Sequence, residues 1–489
     1  MRDISSTEQE LNLKSLKSLF RRSHDVLFQE YFFQQQKVHL IKCDAMIDEH
    51  LLQTVIVHRV QSLFTATSEE MLEEHIQNNL HVPHLQKIAS KDEAITRVYK
   101  GHVLLYFEDM NLLYSSYIAK KPNREPKETT LELVVKGPRD DFIEDVFINI
   151  ALIRKRLPTN SLSVETYELG KRSKTTVAVL YFEDIVNQSI LDKIKLQLQR
   201  IDTDIVFSGD LLMERIEQSA KIIPRHDYTG RPDFAVQALS RGRIIIIVDG
   251  VSYAIITPAN SMLLFKSGED NEYPIFVSSM ERILRIVAIL ISVLLPGFWL
   301  ALSTYHQEQL PSILLATVVE SRTGLPFPTI LETLMMLFMF EIFREANIHL
   351  PNVISGSISV VGGLIIGDAA IKSGITSPSM IVVIATSSIA AYTLVNQSIV
   401  TAMSILRLII VFASAFLGLF GFFISVFFIL LYTANLRVLG VPYLNMGADL
   451  NWQDIKRSLF RLSPAGYRTR PKFLNVQDET KTSSKKNNT

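Results

Sequence analysis

Ser355, Ser359, Gly363 and Gly367 recur at intervals of four, with Gly362 beside the third, and form the most regular set in this 489-residue chain. Spacing of four places them along one helix face. A face without bulky side chains has two uses. It lets another helix approach closely, or it lines a pore and leaves room for ions or solutes. Asp368 follows at the end of the set. An ionisable group at membrane depth faces protein or water, whereas at the interface it is a solvated end residue, and both readings stand. A second set could move rather than line. Pro296-Gly297 would kink a helix at mid-length, as hinge or as shape. Glu332, Glu341, Arg344 and Glu345 bracket an apolar segment and could carry a signal between helices.

Enzymatic chemistry finds less support. Glu108/Asp109 and Glu183/Asp184 follow strand-like runs and suit acidic turns better than acid–base catalysis. The chain has no GxxxxGK[ST] phosphate loop, no HExxH and no cysteine cluster. Gly356–Gly367 is glycine-rich but lies inside an apolar stretch, which argues against a dinucleotide site. The expectation is a protein that is not an enzyme and uses no metal or cofactor. The single cysteine, Cys43, cannot form an internal disulfide and suits a reducing compartment. A net charge of zero gives no general case for nucleic acid.

The elements that hold these residues lie in the last third. From Ile283 onward the sequence becomes a succession of apolar stretches, and Ile405–Thr433 has Arg407 as its only charge. About 20 apolar residues cross a bilayer as a helix. Spans are expected over Ile283–Ser303, Val353–Ile371, Ser379–Val395 and Ile405–Ala434. Ile330–Phe343 is short for a crossing, so an interfacial or re-entrant helix is expected over Thr329–Ile348, with five or six spans the alternative if it does cross. Four spans put both termini on one side. The tail carries Arg437, Lys456, Arg457, Arg461, Arg468, Arg470, Lys472, Lys481, Lys485 and Lys486, which places that side in the cytoplasm. Arg407, at the outer end of the last span, dissents.

Residues 1–280 read as mixed α/β. Strands are expected at His102–Phe107, Leu131–Val135, Thr176–Phe182 and Ile244–Val248, and helices around Glu49–Phe64, Asp141–Arg156, Leu191–Arg200 and Leu211–Ala220. LYFED occurs at Leu105–Asp109 and Leu180–Asp184, and Gly242–Asp249 has a similar outline. Two related subdomains would explain the repetition, and so would chance. The expected fold class is therefore a membrane protein with an N-terminal soluble α/β region (subdomains 1–145 and 146–280). A C-terminal α-helical transmembrane bundle (281–435) and a basic, partly disordered tail (436–489) complete it.

The ordered set of motifs resembles one family across nearly the whole chain. It comprises Phe20, Ser23 and Asp25; Glu125-Pro126; Lys136–Arg139; Phe142–Asp145; Asn149; Leu152–Arg154 and Arg156; Arg231–Asp233; and Val248–Gly250. It continues through Tyr305-His306, Leu310-Pro311, Pro326–Pro328, Glu332, Glu341, Arg344–Ala346, Leu350-Pro351 and Gly362-Gly363 with Gly367. The chain is similar to the A subunits of GerA-type spore germinant receptors. That resemblance implies a multi-pass protein of the inner membrane of bacterial spores, with a transporter-like B subunit and a lipoprotein C subunit as partners. It further implies a homo-oligomer, a pentamer, that releases cations and starts germination, with nutrient recognition chiefly in the B subunit. Alternatives are a non-conducting scaffold of the receptor and a sporulation-stage paralogue of the stage V sporulation protein A-F type. Departures from the family pattern are Gly230 for Glu, Asn347 and His349 for Gly and Arg, Asp368 for Gln, and Asn396 for Pro.

Overall fold

The computed structural model describes residues 11–33, 36–65, 73–120, 137–138, 140–217, 222–266, 268–349, 367–394, 396–444, 460–461 and 469–480. The chain divides into two compact units. One comprises residues 1–220, 226–258 and 467–489, and the other 221–225 and 259–466. Residues 259–280, expected in the second α/β subdomain, thus belong with the helical unit.

Among the described residues, the first unit contains two five-stranded antiparallel sheets. In the first, β1 (Val26–Phe33), β2 (Gln36–Cys43), β3 (Gln86–Lys87), β4 (His102–Phe107) and β5 (Leu112–Tyr117) lie in the order 1-2-4-5-3. In the second, β6 (Leu162–Leu169), β7 (Thr175–Phe182), β8 (Asp227–Thr229), β9 (Ile244–Val248) and β10 (Ala254–Thr257) lie in the order 6-7-9-10-8. The two orders are the same. The registers also correspond, with Ile41 opposite Leu104 in one sheet and Leu180 opposite Ile245 in the other.

Alternation along each strand explains why the central strands read as unbroken apolar runs. Val103, Leu105 and Phe107 pack with Leu52, Ile56 and Val60 on one face, while Leu104 and Tyr106 pack with Leu16, Val98 and Tyr99 on the other. Both faces are covered, so neither can be polar. The structure also settles the repetition. The two LYFED copies lie on β4 and β7, which occupy different places in the order. The counterpart of β4 is β9, the segment with only a similar outline. The subdomains do repeat, but the shared pentapeptide is not the mark of it.

The two subdomains meet at a buried ion pair. Arg154, on the helix Val146–Arg156, gives Asp25 two bonds, Nε to Oδ2 at 2.8 Å and Nη2 to Oδ1 at 3.0 Å. The guanidinium also reaches Ser23 Oγ at 3.3 Å and the Thr159 carbonyl at 2.9 Å, and lies over the Tyr99 ring, 4.1 Å from its centroid. Beside it, the backbones of Arg22–His24 and Val164 exchange hydrogen bonds of 3.1 Å. Burial pushes the Tyr99 hydroxyl up to about 12, and burial next to Asp25 pushes the Cys43 thiol well above its ordinary value.

The helical unit contains α1 (Ile275–Tyr305), α2 (Ser312–Arg322), α3 (Thr329–His349), α4 (Gly367–Lys372), α5 (Pro378–Ala391) and α6 (Gln397–Asn435). Among the described residues, two helices, α1 and Ser398–Asn435 within α6, are long and apolar enough to cross a membrane. α1 begins before Ile283, at Ile275, and in its third turn Arg282 and Arg285 both pair with the buried Asp270, at 2.8 Å each. It continues through Pro296 as one helix. A break in helical backbone falls in α6, at Gly418 (φ 61°, ψ −139°). α5 stops at Ala391 and α6 starts at Gln397, because Asn396 accepts a bond from Ser398 N and caps the later helix. The expected span Val353–Ile371 lies outside the described residues as far as 366.

Two outcomes test the first unit. Thiolate is the reactive form of cysteine, so a maleimide should leave Cys43 unlabelled at neutral pH until the first subdomain unfolds, and rapid labelling of native protein would contradict its burial. Asp25→Ala should cost about 3–5 kcal/mol in chemical unfolding by stranding the arginine. Asp25→Leu combined with Arg154→Met should recover much of that loss.

Candidate functional site

Apolar helices give ionisable side chains no water to lean on, so each such group needs a partner inside the bundle. Among the described residues, α3 carries two such polar clusters. Residue spacing explains why one helix serves both. Glu332 and Glu341 are more than two turns apart, so each meets a different neighbour.

The first cluster surrounds Glu332, which is 1% exposed. Its Oε1 accepts hydrogen bonds from Thr376 Oγ1 at 2.9 Å, Ser377 N at 2.6 Å and Ser377 Oγ at 2.7 Å. Ser377 is the N-cap of α5, and its hydroxyl also accepts from Met380 N at 3.3 Å. Pro378 follows at the first helical position, where its missing N–H costs nothing. The carboxylate therefore sits at the positive end of a helix, with backbone and hydroxyl donors aimed at it. Glu332 Oε2 is buried and, among the described residues, accepts no hydrogen bond.

The second cluster joins α3, α5 and α6. Arg407 Nη2 donates to Glu341 Oε2 at 3.2 Å, and Arg407 Nη1 donates to Ser387 Oγ at 3.2 Å. Ser387 Oγ in turn donates to the Ser292 carbonyl of α1 at 2.8 Å. Arg344, one turn from Glu341, pairs with its other oxygen and donates to Ser404 Oγ at 2.6 Å. Ser404 Oγ lies 3.4 Å from Glu341 Oε2. One carboxylate serves two guanidinium groups, and four helices are tied together by groups that apolar packing alone would leave out.

Three of the four candidate coupling residues on α3 thus enter these clusters. Glu345 lies on the exposed side of α3. Pro296 and Gly297 are buried where α1 meets α6, and a Cβ on Gly297 would lie 2.6 Å from Ile410 Cγ2. Of the small-residue set, Ser355, Ser359, Gly362 and Gly363 lie outside the described residues. Gly367 opens α4, and Asp368 pairs with Lys372 one turn on, at 2.7 Å, with its side chain more than half exposed.

Sequence reading missed the role of Arg407. Its signal was present, since a lone charge in a long apolar run calls for a named partner. It also missed the Gly418 break. There Tyr305 Oη donates to the Ala415 carbonyl at 2.6 Å, supplying a donor in the interrupted turn. Among the described residues, no group of three or more His, Cys, Asp or Glu could hold a metal ion.

Arg407→Gln and Glu341→Gln should each lower the melting temperature of the detergent-purified chain, with a coupling of about 1–3 kcal/mol in the double-mutant cycle. Strict additivity would mean that the pair does not form.

The family model described as Bacillus/Clostridium GerA spore germination protein matches residues 14–473. Spore germination protein XA of Bacillus anthracis is 37% identical over 444 residues, spanning 90% of this chain and 90% of that protein. Spore germination protein KA of Bacillus subtilis (strain 168) is 29% identical over 476 residues, spanning 96% and 87%. Among solved structures, the N-terminal domain of the A subunit of the Bacillus megaterium spore germinant receptor GerK3 is similar at 20% identity with a TM-score of 0.40. It spans 50% of this chain and 93% of that one.

Proposed function

The chain belongs to the GerA family of Bacillus and Clostridium spore germination proteins, and from that premise we propose that it is the A subunit of a nutrient germinant receptor. In this reading it contributes the helices of an oligomeric, ligand-gated channel in the inner membrane of the spore, beside a transporter-like B subunit and a lipoprotein C subunit. Cation release through the channel starts germination. The observation that carries the reading is the placement of Glu332, Glu341, Arg344 and Arg407 within a helical bundle. Intramembrane ionisable groups are retained at a cost and mark functional elements.

Chain path supports the expected topology. Residues 467–489 belong to the same compact unit as residues 1–220. A chain that leaves that unit at Pro258 and returns to it makes an even number of crossings. With the basic tail, this favours both ends in the cytoplasm. The small-residue set from Ser355 to Gly367 supplies the pore helix, and α3 passes the state of the partner subunits to it.

A second reading, a non-conducting scaffold, is favoured by the way Arg407 is met by Glu341 and Ser387 between packed helices, which packing alone would also require. Flux from liposomes separates the two. Vesicles holding the receptor complex should release monovalent cations on addition of nutrient, and Gly363→Leu should abolish that release. Stable oligomers without flux would favour the scaffold, and unchanged flux in Gly363→Leu would remove Val353–Ile371 as the pore helix.

A further inference from the structure

The two α/β subdomains close their sheets with segments from very different places in the chain. In the first, the chain leaves β5 and runs directly across the corner between β2 and β4. Ala119 lies over Gly101, where a Cβ would collide with it, and Lys120 N donates to the Met46 carbonyl at 3.1 Å. Asp48, the N-cap of the following helix, donates its own N–H to the Ile118 carbonyl at 2.8 Å.

The second subdomain has the same corner. Gly242 precedes β9 as Gly101 precedes β4, with φ of 89° and 88°, a region that favours glycine. Ile185 and Asn187 follow β7 at the positions that Met46 and Asp48 hold after β2. The equivalent closing segment is nevertheless absent, because the chain leaves β10 and passes into the helical unit at Ala259. Its place is taken by residues from beyond the membrane helices. A Cβ on Gly242 would collide with Val476 Cγ1, Gln477 N donates to the Ile185 carbonyl at 3.1 Å, and Asn187 Nδ2 donates to the Leu474 carbonyl at 3.1 Å. Leu474 and Val476 are buried. Arg470 fastens the start of the segment, with Nε on the Ser240 carbonyl at 3.1 Å and Nη1 on Asp478 Oδ2 at 2.6 Å.

We infer that Thr469–Thr480 is the closing segment of the second subdomain, donated by the chain's own C-terminal tail. It acts as a latch that fastens the tail at the corner after β7 and before β9, within the water-facing unit. Three correspondences carry this: Val476 for Ala119 over a left-handed glycine, Gln477 for Lys120 on the corner carbonyl, and a helix cap holding each segment. Polarity is the same in both. The corner accepts an extended segment with a small or β-branched residue at its centre and a free N–H one position later. The latch is independent of whether the bundle conducts.

Amide hydrogen exchange on the full chain in nanodiscs tests it. Val476→Asp places a charge in the buried seat, and exchange at 185–191 and 472–480 should rise by about tenfold or more. Exchange at 46–52 and 115–120, the matching corner of the first subdomain, should stay at the wild-type rate. Unchanged protection of 472–480 in Val476→Asp would overturn the seat. A chain ending at Tyr467, supplied with a synthetic peptide of residues 468–480, separates release from unfolding. Restored protection at 185–191 supports the latch, and failure of the peptide to restore it overturns the proposal. Neither readout depends on ion flux.

Discussion

A charge removed from water must be neutralised where it sits, and this requirement organises both units. Arg154 is fully buried, and desolvating a guanidinium costs several kcal/mol unless its donors are met. Asp25, Ser23 and the Thr159 carbonyl meet them, and the Tyr99 ring faces the cation. Those partners come from both α/β subdomains, so satisfying one side chain fixes how the two halves join. Within the helical unit, Asp270 does the same for Arg282 and Arg285, and Glu341 for Arg344 and Arg407. Glu332 is served by the start of α5 instead of by a cation. Such pairs add little net stability over apolar packing. They do specify which helix meets which.

The repeated sheet order has a mechanical consequence. Two subdomains with one topology need two closing segments, and the second lies beyond the whole helical unit. The water-facing unit is therefore assembled from three stretches of sequence. Its second half is complete only when the tail is in place. Long-range closure of this kind costs loop entropy, which is offset by the burial of Leu474 and Val476 and by the hydrogen bonds along the strap.

Much of this could be read from residue types. The α/β character of residues 1–280, the long helices around Ile283–Ser303 and Ile405–Ala434, and the helix near Thr329–Ile348 all follow from periodicity and apolar length. The pairings did not follow. Arg407 looked like a charge displaced toward the outer end of a span, and the LYFED copies looked like the repeat. Strand periodicity reports which face a side chain takes, but not the strand's place in the sheet, so similar pentapeptides fell on non-equivalent strands. The ordered motifs around Ser23, Asp25, Phe142–Asp145, Arg154, Arg231–Asp233 and Val248–Gly250 were visible only as a family pattern. In the structure they converge. Asp249 accepts from Val146 N, Gly250 N meets the Glu144 carbonyl, Phe142 N meets the Gly230 carbonyl, and Asp25 meets Arg154.

The sequence by itself determined the division into a water-facing α/β region and an apolar helical region, and with them the family. Both rest on local properties, namely hydrophobic period, run length and ordered motifs, that act over a few turns or strands. The tertiary structure alone decided that Asp25 belongs with Arg154 and Glu341 with Arg407. It alone placed the helix break at Gly418 and sent the tail back to close the second subdomain. Those outcomes depend on groups far apart in sequence meeting in space, and a buried charge or an open sheet corner selects its partner by geometry that no local pattern encodes.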